Sequence, residues 1–529
     1  MGFLVIFIHS FTYAAQLDEY DFLSGAPTLT LEELLTRGLE ENLDVKMEKV
    51  QIPIEKEDVE FYRAEFDPAL ESSLNIDERK NPVSSSLTSG GFNITRTRQG
   101  EIGLLKRFPT GLESRIAINS SRSTNNSRVD GLRPQYRSQL VLNLLQPLLR
   151  DFGTEVNTTN IQLSENEVQQ AFYSYQEQAM SVAEDIEILY YDLAEALALY
   201  QFRLESLELA QQLREGNQMK FEAGLAPINE VQEAETAIAS RRELVILAKQ
   251  EVELTLNRIR DIIDASPTDT LFTHPFVTSP IVENEFPVTL PLEDALNLAF
   301  RHRPDLKRIQ NEIRNWDIRL LYYKNQKLPR LDLQATLGLN GLSGKSRSIP
   351  DLGDEFAPTN PHVGSYFDSF GHLVEGDGLE WFIGVQVSYP LGNRAAEARY
   401  RQTDLQKIRS IMRLKQLENA IETEIEEAIT IIQRSWERVT VTQQFQELAD
   451  RSLEQENTRF TEGLSDTFRL LDFQDDVIDA RIRKINALTD YHQGLASFYR
   501  ALGINLNRYN IELTMDTEVT DVEETDTTP

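Results

Sequence analysis

The chain has 529 residues, no cysteine and a formal net charge of −32 at pH 7. The lack of cysteine excludes disulfides, thiolate nucleophiles and cysteine-ligated metals. A strongly acidic chain without a concentrated basic patch is also unsuited to binding nucleic acid. Its apolar runs are shorter than the ~18 residues that a membrane-spanning helix requires, and its length predicts two domains or an internal duplication.

The N-terminal segment is apolar and ends in small residues. The run GFLVIFIHSF at 2–11 is followed by Ala14 and Ala15, a pattern typical of a secretory signal peptide that is cleaved after one of these alanines. The positive charge that normally precedes such a run is missing, since no lysine or arginine precedes Arg37. We expect residues 1–15 to be a signal peptide; a buried N-terminal strand is the alternative.

The remaining sequence is one unit written twice. LTLEELLTRGLEENLDVK at 29–46 aligns with LPLEDALNLAFRHRPDLK at 290–307. Further on, KFEAGLAPINEVQEAE at 220–235 aligns with RFTEGLSDTFRLLDFQ at 459–474. Self-similarity of this kind indicates a structural unit that is used repeatedly. We predict a first repeat over 29–287 and a second over 288–508.

In the first repeat, a helix over about 29–66 is expected to kink at Pro53. The strand segment at about 69–147 contains ALESSLNID, LESRIAINS and SQLVLNLL, which alternate with the period of a half-buried strand. RFPTGLE at 107–113 predicts an additional turn within it. A long helix and a returning helix over 228–264 then complete the repeat.

The second repeat follows the same order. Its strand segment at about 331–390 contains LDLQATLGLN and WFIGVQVSY, the clearest alternations in the chain. Proline is absent from 154–223 and from 394–462, so each stretch is predicted to be one helix of roughly 100 Å. The last residues, 509–529, contain acids and no base, which predicts an acidic disordered tail.

The strand segments raise the question of what pairs with their edges. Strands with one apolar face cannot leave their edges unpaired, and closing a barrel needs ~8 strands or more. With four to six strands per chain, closure requires several chains. An outward apolar face would make a membrane barrel, whereas two sheets packed as a sandwich would fit the alternation equally well.

The two Gly-Leu segments lie where each long helix ends and the next helix begins. Gly224 and Gly463 are predicted to be helix C-terminal glycines in a left-handed conformation, and Pro227 suits the first turn of the following helix. One such segment would indicate a capped helical hairpin. Its recurrence indicates that the surface of the tip has a function.

In order and spacing, the sequence resembles the TolC-like outer-membrane efflux proteins from LTLEELL to LGINL at 502–506. The resemblance rests on the duplication, on NLDVK and RPDLK after the first helix of each repeat, on QPLL and YPLG at strand ends, and on both Gly-Leu segments. It implies a mainly α fold with a β-barrel segment, in which long antiparallel helices form an α-helical tunnel and the membrane strands are closed by trimerisation.

The same resemblance implies the function and the partners. It predicts an outer-membrane channel of a tripartite efflux or type I secretion system, a homotrimer in outer-membrane lipid that extends into the periplasm. A periplasmic adaptor protein and an inner-membrane transporter are the implied partners. The alternative is a non-conducting exported coiled-coil structural protein with a β-sandwich head.

The resemblance also implies a site at the helical tips. The adaptor-docking residues would be Gly224, Leu225, Gly463 and Leu464. The residues of the tunnel-entrance gate would be Glu230, Phe460, Ser465, Arg469 and Asp472. The gate departs from the family pattern, because Phe460 lacks the hydroxyl of the usual aromatic residue, Ser465 replaces an arginine and Arg469 replaces an acid. The hydrogen-bonded latch of the best-known member cannot form here in the same way. The extra turn at 107–113 is a second departure, since two strands per repeat are usual.

Nothing in the sequence indicates catalysis, a cofactor or a metal. The six histidines lack the spacing of zinc ligands. GLNGLSGKS at 338–346 resembles a phosphate-binding loop, but Leu339 stands where that loop needs its first glycine. We expect the protein not to be an enzyme.

Overall fold

The computed structural model describes residues 26–82, 91–127, 130–264, 276–279, 290–347, 361–376 and 378–515. The chain divides into a helical unit, which comprises residues 1–53, 169–310 and 412–529, and a strand unit, which comprises residues 54–168 and 311–411. The predicted signal peptide lies outside the described residues, as do the predicted repeat boundary at 287–288 and the end of the predicted tail. None of the described helices is both long and apolar enough to cross a membrane.

Each repeat contains short helices, strands, a long helix and a shorter returning helix. In chain order the elements are β1 (Thr28–Leu29), α1 (Leu31–Glu41), α2 (Leu43–Arg63), β2 (Ala69–Pro82), β3 (Phe92–Arg107), β4 (Glu113–Asn125), β5 (Leu132–Pro147), α3 (Thr154–Asn157), α4 (Thr159–Glu222), α5 (Ile228–Ile263), β6 (Val277–Thr278), α6 (Leu292–His302), α7 (Pro304–Gln326), β7 (Arg330–Ser346), α8 (Asp368–Glu375), β8 (Leu379–Ser388), α9 (Arg394–Thr461), α10 (Thr467–Ala501) and α11 (Asn505–Arg508). β1 and β6 pair in parallel as a two-stranded sheet.

The first helical segment breaks at Asn42 and not at Pro53. The amide of Asn42 donates to the carbonyl oxygen of Ile262 at 2.7 Å, and its side-chain oxygen accepts from the backbone nitrogen of Val45 at 2.9 Å. Pro53 lies inside α2, which continues to Arg63. The prediction of one helix over about 29–66 is therefore wrong, because this segment contains two helices. Two helices meet at a buried side-chain amide that satisfies one backbone group of α2 and one of the returning helix α5.

The second repeat has the same break with a different side chain. Arg303 lies between α6 and α7 and donates to the carbonyl oxygen of Ala501 at 3.1 Å. It also pairs with Asp305 at 2.8 Å and with Glu424 at 2.6 Å. In each repeat, the residue at the break thus bonds to a carbonyl near the end of the returning helix, Ile262 on α5 or Ala501 on α10. This contact holds the first helix pair against the end of its own repeat.

The long helices differ in how much of their surface the chain itself covers. α4 has 64 residues and α9 has 68. The helical unit buries Ile186, Leu193 and Leu207 of α4, whereas α9 leaves large apolar side chains exposed, among them Ile431, Val441, Phe445 and Leu448. Both long helices were predicted, although Thr158 separates the short α3 from α4.

The last described residues contact α4. The hydroxyl of Tyr509 donates to the carboxylate of Glu187 at 2.8 Å, and Arg508 pairs with the same carboxylate at 3.0 Å. Burial raises the pKa of Glu187, while the positive charge of Arg508 acts in the opposite direction. Residues 509–515 of the predicted tail therefore include a residue with a defined partner in the helical unit.

Six strands form one antiparallel sheet in the order β2-β3-β4-β5-β7-β8. The first repeat supplies four of them and the second repeat two. The additional turn predicted at 107–113 is confirmed: β3 ends at Arg107, β4 begins at Glu113, and Gly111 between them has φ +89°. Its backbone nitrogen donates to the carbonyl oxygen of Phe108 at 2.8 Å.

The sheet has one apolar face and one polar face. One cross-strand row on the apolar face contains Leu70, Leu104, Ile116, Leu142, Leu337 and Trp381. A row on the opposite face contains Ser73, Glu101, Asn119, Gln139 and Asn340. The strands thus alternate as predicted, and they lie in a single sheet rather than in the two packed layers of a sandwich.

Candidate functional site

The two tips have the same backbone turn. Leu225 N donates to Lys220 O at 2.8 Å and Gly224 N donates to Phe221 O at 2.9 Å. In the second repeat, Leu464 N donates to Arg459 O at 2.8 Å and Gly463 N to Phe460 O at 3.2 Å. This pair of bonds is the Schellman motif, in which the glycine takes a left-handed conformation. Gly224 has φ +72° and Gly463 has φ +76°, as the sequence predicted.

The leucine after each glycine is exposed. Leu225 is 80% exposed and Leu464 is 65% exposed. Because these side chains follow the residue that ends each long helix, they lie at the outermost turn between the two helices. Each tip therefore presents one large apolar side chain on a turn whose backbone hydrogen bonds are already satisfied.

Beneath the first tip, a buried amide joins both returning helices. Asn217 on α4 is fully buried, and its amide donates to the hydroxyl of Thr467 on α10 at 2.8 Å and to the carbonyl oxygen of Glu230 on α5 at 3.1 Å. The Thr467 hydroxyl in turn donates to the Glu230 carboxylate at 3.1 Å. Glu230, one of the predicted gate residues, is thus half-buried and tied to the other repeat.

Beneath the second tip, the corresponding position is a carboxylate. Glu456 on α9 has a side chain that is 3% exposed, and it accepts a hydrogen bond from Ser465. Arg459 lies 3.5 Å and Arg469 3.7 Å from its oxygens. Ser465 and Arg469, both predicted gate residues, therefore meet at a third residue that the sequence analysis did not single out.

Phe460 and Asp472 have different surroundings. Phe460 is partly buried against the apolar cluster of Leu213, Leu470 and Leu471. The Lys220 amine lies 4.0 Å from the centre of its ring, within the range of a cation–π contact. Asp472 is exposed on α10. The five predicted gate residues are thus all near the tips, but they do not form one hydrogen-bonded cluster within the chain.

Three residues of this region were missed, namely Asn217, Glu456 and Thr467. The sequence contains a signal for Asn217 and Glu456. When the repeats are aligned on Gly224 and Gly463, Asn217 corresponds to Glu456, and Glu230 corresponds to Arg469. Where one repeat has an amide and an acid, the other has an acid and a base. The chemistry of the region is hydrogen bonding and charge, and the described residues contain no group of three side chains suited to holding a metal ion.

Comparison with known proteins bears on both repeats. Residues 295–504 match the model of the outer membrane efflux protein family. No curated protein sequence matches the chain. Among solved structures, the outer-membrane channel OprN is 17% identical, with 89% of each chain covered and a TM-score of 0.60. The CmeC outer-membrane channel of Campylobacter jejuni is 16% identical, with 90% of this chain and 86% of that chain covered and a TM-score of 0.61.

The second repeat is therefore similar to the outer membrane efflux protein family, and the chain as a whole has the fold of outer-membrane channels. The predicted resemblance to the TolC-like proteins is confirmed, as is the mainly α fold with a β segment. The family match and the shared fold support the predicted class of function, an outer-membrane efflux channel that extends into the periplasm. The proteins that the chain resembles are channels and not enzymes. The alternative of a rod with a sandwich head is not favoured, because the strands form one sheet.

Proposed function

We propose that three copies of this chain form the outer-membrane duct of a tripartite efflux or type I secretion system, with a periplasmic adaptor protein docked at the helical tips and an inner-membrane transporter behind it. The observation that carries this proposal is the pair of matched tips. Two turns with the same hydrogen bonds each present an exposed leucine, although the polar side chains beneath the two turns differ.

Exposed apolar side chains support assembly from several copies. On α9 these are Ile431, Val441, Phe445 and Leu448, and on α5 they are Ile246, Leu247 and Leu254. Large apolar side chains gathered on helix surfaces indicate an interaction site, and a closed ring of identical chains covers such faces without leaving one open. The apolar face of the sheet, which includes Ile383, Val385 and Val387, would then contact outer-membrane lipid.

The tips suit an adaptor with an apolar contact surface. A Schellman turn satisfies its own carbonyl and amide groups, so a partner there meets few polar groups that need new hydrogen bonds. Three copies of Leu225 and Leu464 would supply a ring of apolar contacts. Buried apolar anchors of this kind carry most of the binding energy in many interfaces.

The residues beneath the tips would form the gate. In a ring of three chains, the returning helices α5 and α10 would surround the entrance. Glu230 and Asp472 would supply carboxylates there. The distance between neighbouring helices would be set by Phe460, Ser465 and Arg469. Because Thr467 links Glu230 on α5 to α10, the two returning helices would move together when the entrance opens.

The test replaces both leucines by a charged residue. With Leu225→Asp and Leu464→Asp, we expect loss of export in cells, while the trimer still reaches the outer membrane and migrates as a detergent-resistant species. Leu225→Met with Leu464→Met keeps the apolar contact and should keep export. Ala223→Glu is the matched control for charge, because the corresponding residue of the second repeat, Glu462, is already acidic.

Two results would contradict the proposal. Loss of the trimer in the double aspartate variant would mean that the leucines pack within the assembly. Normal export by a correctly assembled double variant would mean that the adaptor does not dock at these leucines.

A further inference from the structure

The sheet ends in two strands whose outer edges have no partner within the described chain. β2 lies at one end and β8 at the other. Nearly every residue of β2 is exposed, and so is nearly every residue of β8. Unpaired backbone groups at the edge of a sheet are a template for another strand. The six described strands of one chain are too few to satisfy both edges by closing on themselves, since closure needs ~8 or more.

The directions of the edge strands permit pairing between copies. β2 begins next to the 3-10 turn at Ala64–Phe66, and β8 ends next to α9, so the two strands run in opposite directions. The six strands alternate in direction across the whole sheet. β2 of one copy would therefore lie antiparallel to β8 of the next, and the alternation would continue around a closed barrel. An odd number of strands per chain would have broken it.

The apolar face continues to the outer edge of β2, the strand of the first repeat that is farthest from β8. Leu70, Leu74 and Ile76 on β2 are 75%, 90% and 81% exposed. By register, Leu70 lies in the same row as Trp381 on β8. On β2, the other apolar residues lie farther than this row from the strand end that joins the helices. On β8, most of the other apolar residues, up to Val387, lie nearer to that end. The apolar band thus crosses the strands obliquely, as it does when strands tilt within a membrane.

The polar face also includes the first repeat's outer strands. Arg115 on β4 pairs with Glu101 on β3 and lies 3.6 Å from Glu71 on β2. Charges that pair across three neighbouring strands, on the face opposite the apolar band, are typical of a barrel interior. β2 and β3 therefore have the same two-faced character as the other four strands.

From these observations we propose that β2 and β3 are part of the barrel wall and that three copies close a barrel of eighteen strands through pairing of β2 with β8 of the next copy. The proposal rests on the trimeric channel proposed above. Two strands per repeat would give twelve strands instead. Because barrel diameter grows roughly linearly with strand number, eighteen strands make the barrel about 1.5 times wider, and barrels of 16–18 strands enclose an aqueous channel.

The absence of cysteine makes the strand pairing testable by disulfide formation. One chain would carry Ser73→Cys on the polar face of β2. A second chain, expressed in the same cells with a distinguishable tag, would carry one of Glu380→Cys, Phe382→Cys, Gly384→Cys or Gln386→Cys on the polar face of β8. Facing residues on antiparallel neighbours have Cβ atoms ~5 Å apart, close enough for oxidation to join them after a small adjustment.

The control replaces the β2 cysteine with Asn119→Cys on β4. Within one copy, β4 lies three strands from β8, roughly 14 Å at the usual spacing. In an eighteen-stranded barrel, we expect a covalent product containing both tags for at least one Ser73 combination and for none of the Asn119 combinations. The native mass of each sample, measured before oxidation, establishes whether the trimer is present.

The opposite result overturns the strand count. If Asn119 reacts and Ser73 does not, β4 is the closing strand and the barrel has twelve strands. Absence of any cross-link in a verified trimer also overturns the proposed pairing. Absence of the trimer itself contradicts the proposed function, so the two failures are distinguishable in the same experiment.

Discussion

In the first repeat, the backbone nitrogen of Leu225 donates a hydrogen bond to the carbonyl oxygen of Lys220 at 2.8 Å. In the second repeat, the backbone nitrogen of Leu464 donates to the carbonyl oxygen of Arg459 at the same distance. One helical turn below, the two repeats differ. The first has the neutral Asn217, bonded to Thr467, and the second has the carboxylate Glu456, next to Arg469. The backbone turn depends on glycine and has been kept. The polar contact beneath the turn depends on complementary partners, and both partners differ between the two repeats.

The strand segments show the same contrast on a larger scale. Four strands in the first repeat and two in the second form one continuous sheet. A hairpin added within an antiparallel sheet keeps the alternation of direction and of apolar and polar faces, provided that it adds an even number of strands. The strand segments of the two repeats can therefore differ in length, provided that the added strands keep the alternation of direction and of faces.

The largest expected effect among the tip variants comes from removing the buried polar groups. Glu456→Ala removes the hydrogen-bond acceptor of Ser465 and the carboxylate that pairs with Arg459 and Arg469, and we expect a loss of about 2 kcal/mol in local stability. Asn217→Ala removes neutral hydrogen bonds, for which we expect about 1 kcal/mol. Hydrogen exchange of peptides covering 456–470 and 217–230 measures both, since each peptide reports the opening of its own tip.

An exchange of partners tests whether the two contacts are equivalent. Glu456→Asn together with Arg469→Glu gives the second tip the residues of the first at these positions. We expect it to recover part of the protection that Glu456→Asn alone loses, because an amide next to an acid is the arrangement of the first repeat. No recovery would show that the two polar contacts are not interchangeable.

Replacing the tip glycines should give a smaller loss than Glu456→Ala. Their left-handed φ disfavours any residue with a Cβ, so Gly224→Ala and Gly463→Ala should each destabilise the turn by about 1 kcal/mol. A Cβ at either position would meet no atom within 4 Å, so steric contact within the chain does not contribute. The same hydrogen-exchange peptides provide the measurement.

Gly216 is the matched control for the tip glycines. It lies inside α4, and a Cβ there would also meet no atom within 4 Å. Gly216→Ala should stabilise the helix by roughly 0.5–1 kcal/mol, because alanine loses less conformational freedom than glycine in a helix. If Gly216→Ala destabilises the protein as much as the tip variants do, the effect arises from contacts between copies and not from the turn.

These contrasts explain which features could be predicted from the sequence. The tip turns could, because a left-handed helix end needs glycine whatever surrounds it. The additional turn at 107–113 could, because turn residues interrupt an alternating pattern. The break at Asn42 could not, because it depends on the carbonyl of Ile262, which is distant in sequence. The same holds for Glu456, which looks like a surface acid until Ser465 and Arg469 are placed beside it.

The smallest expected effect concerns ion selectivity. If Glu230 and Asp472 line the entrance, three copies place up to six carboxylates there, and rings of carboxylates favour cations by concentrating them. Glu230→Ala with Asp472→Ala should lower the cation-to-anion permeability ratio, measured from reversal potentials in a salt gradient, with the trimer intact. The effect should shrink in concentrated salt, because the Debye length falls to roughly 3 Å at 1 M.

The structure divides this effect unequally between the two residues. Glu230 is half-buried and accepts a hydrogen bond from Thr467, whereas Asp472 is exposed on α10. Asp472→Ala should therefore change the ratio more than Glu230→Ala. Glu233, the exposed residue of α5 that corresponds to Asp472, provides the comparison between repeats. A larger change from Glu233→Ala would mean that α5 and not α10 presents its acids to the passing ions, and reversal potentials unmoved by the double variant would place the gate elsewhere.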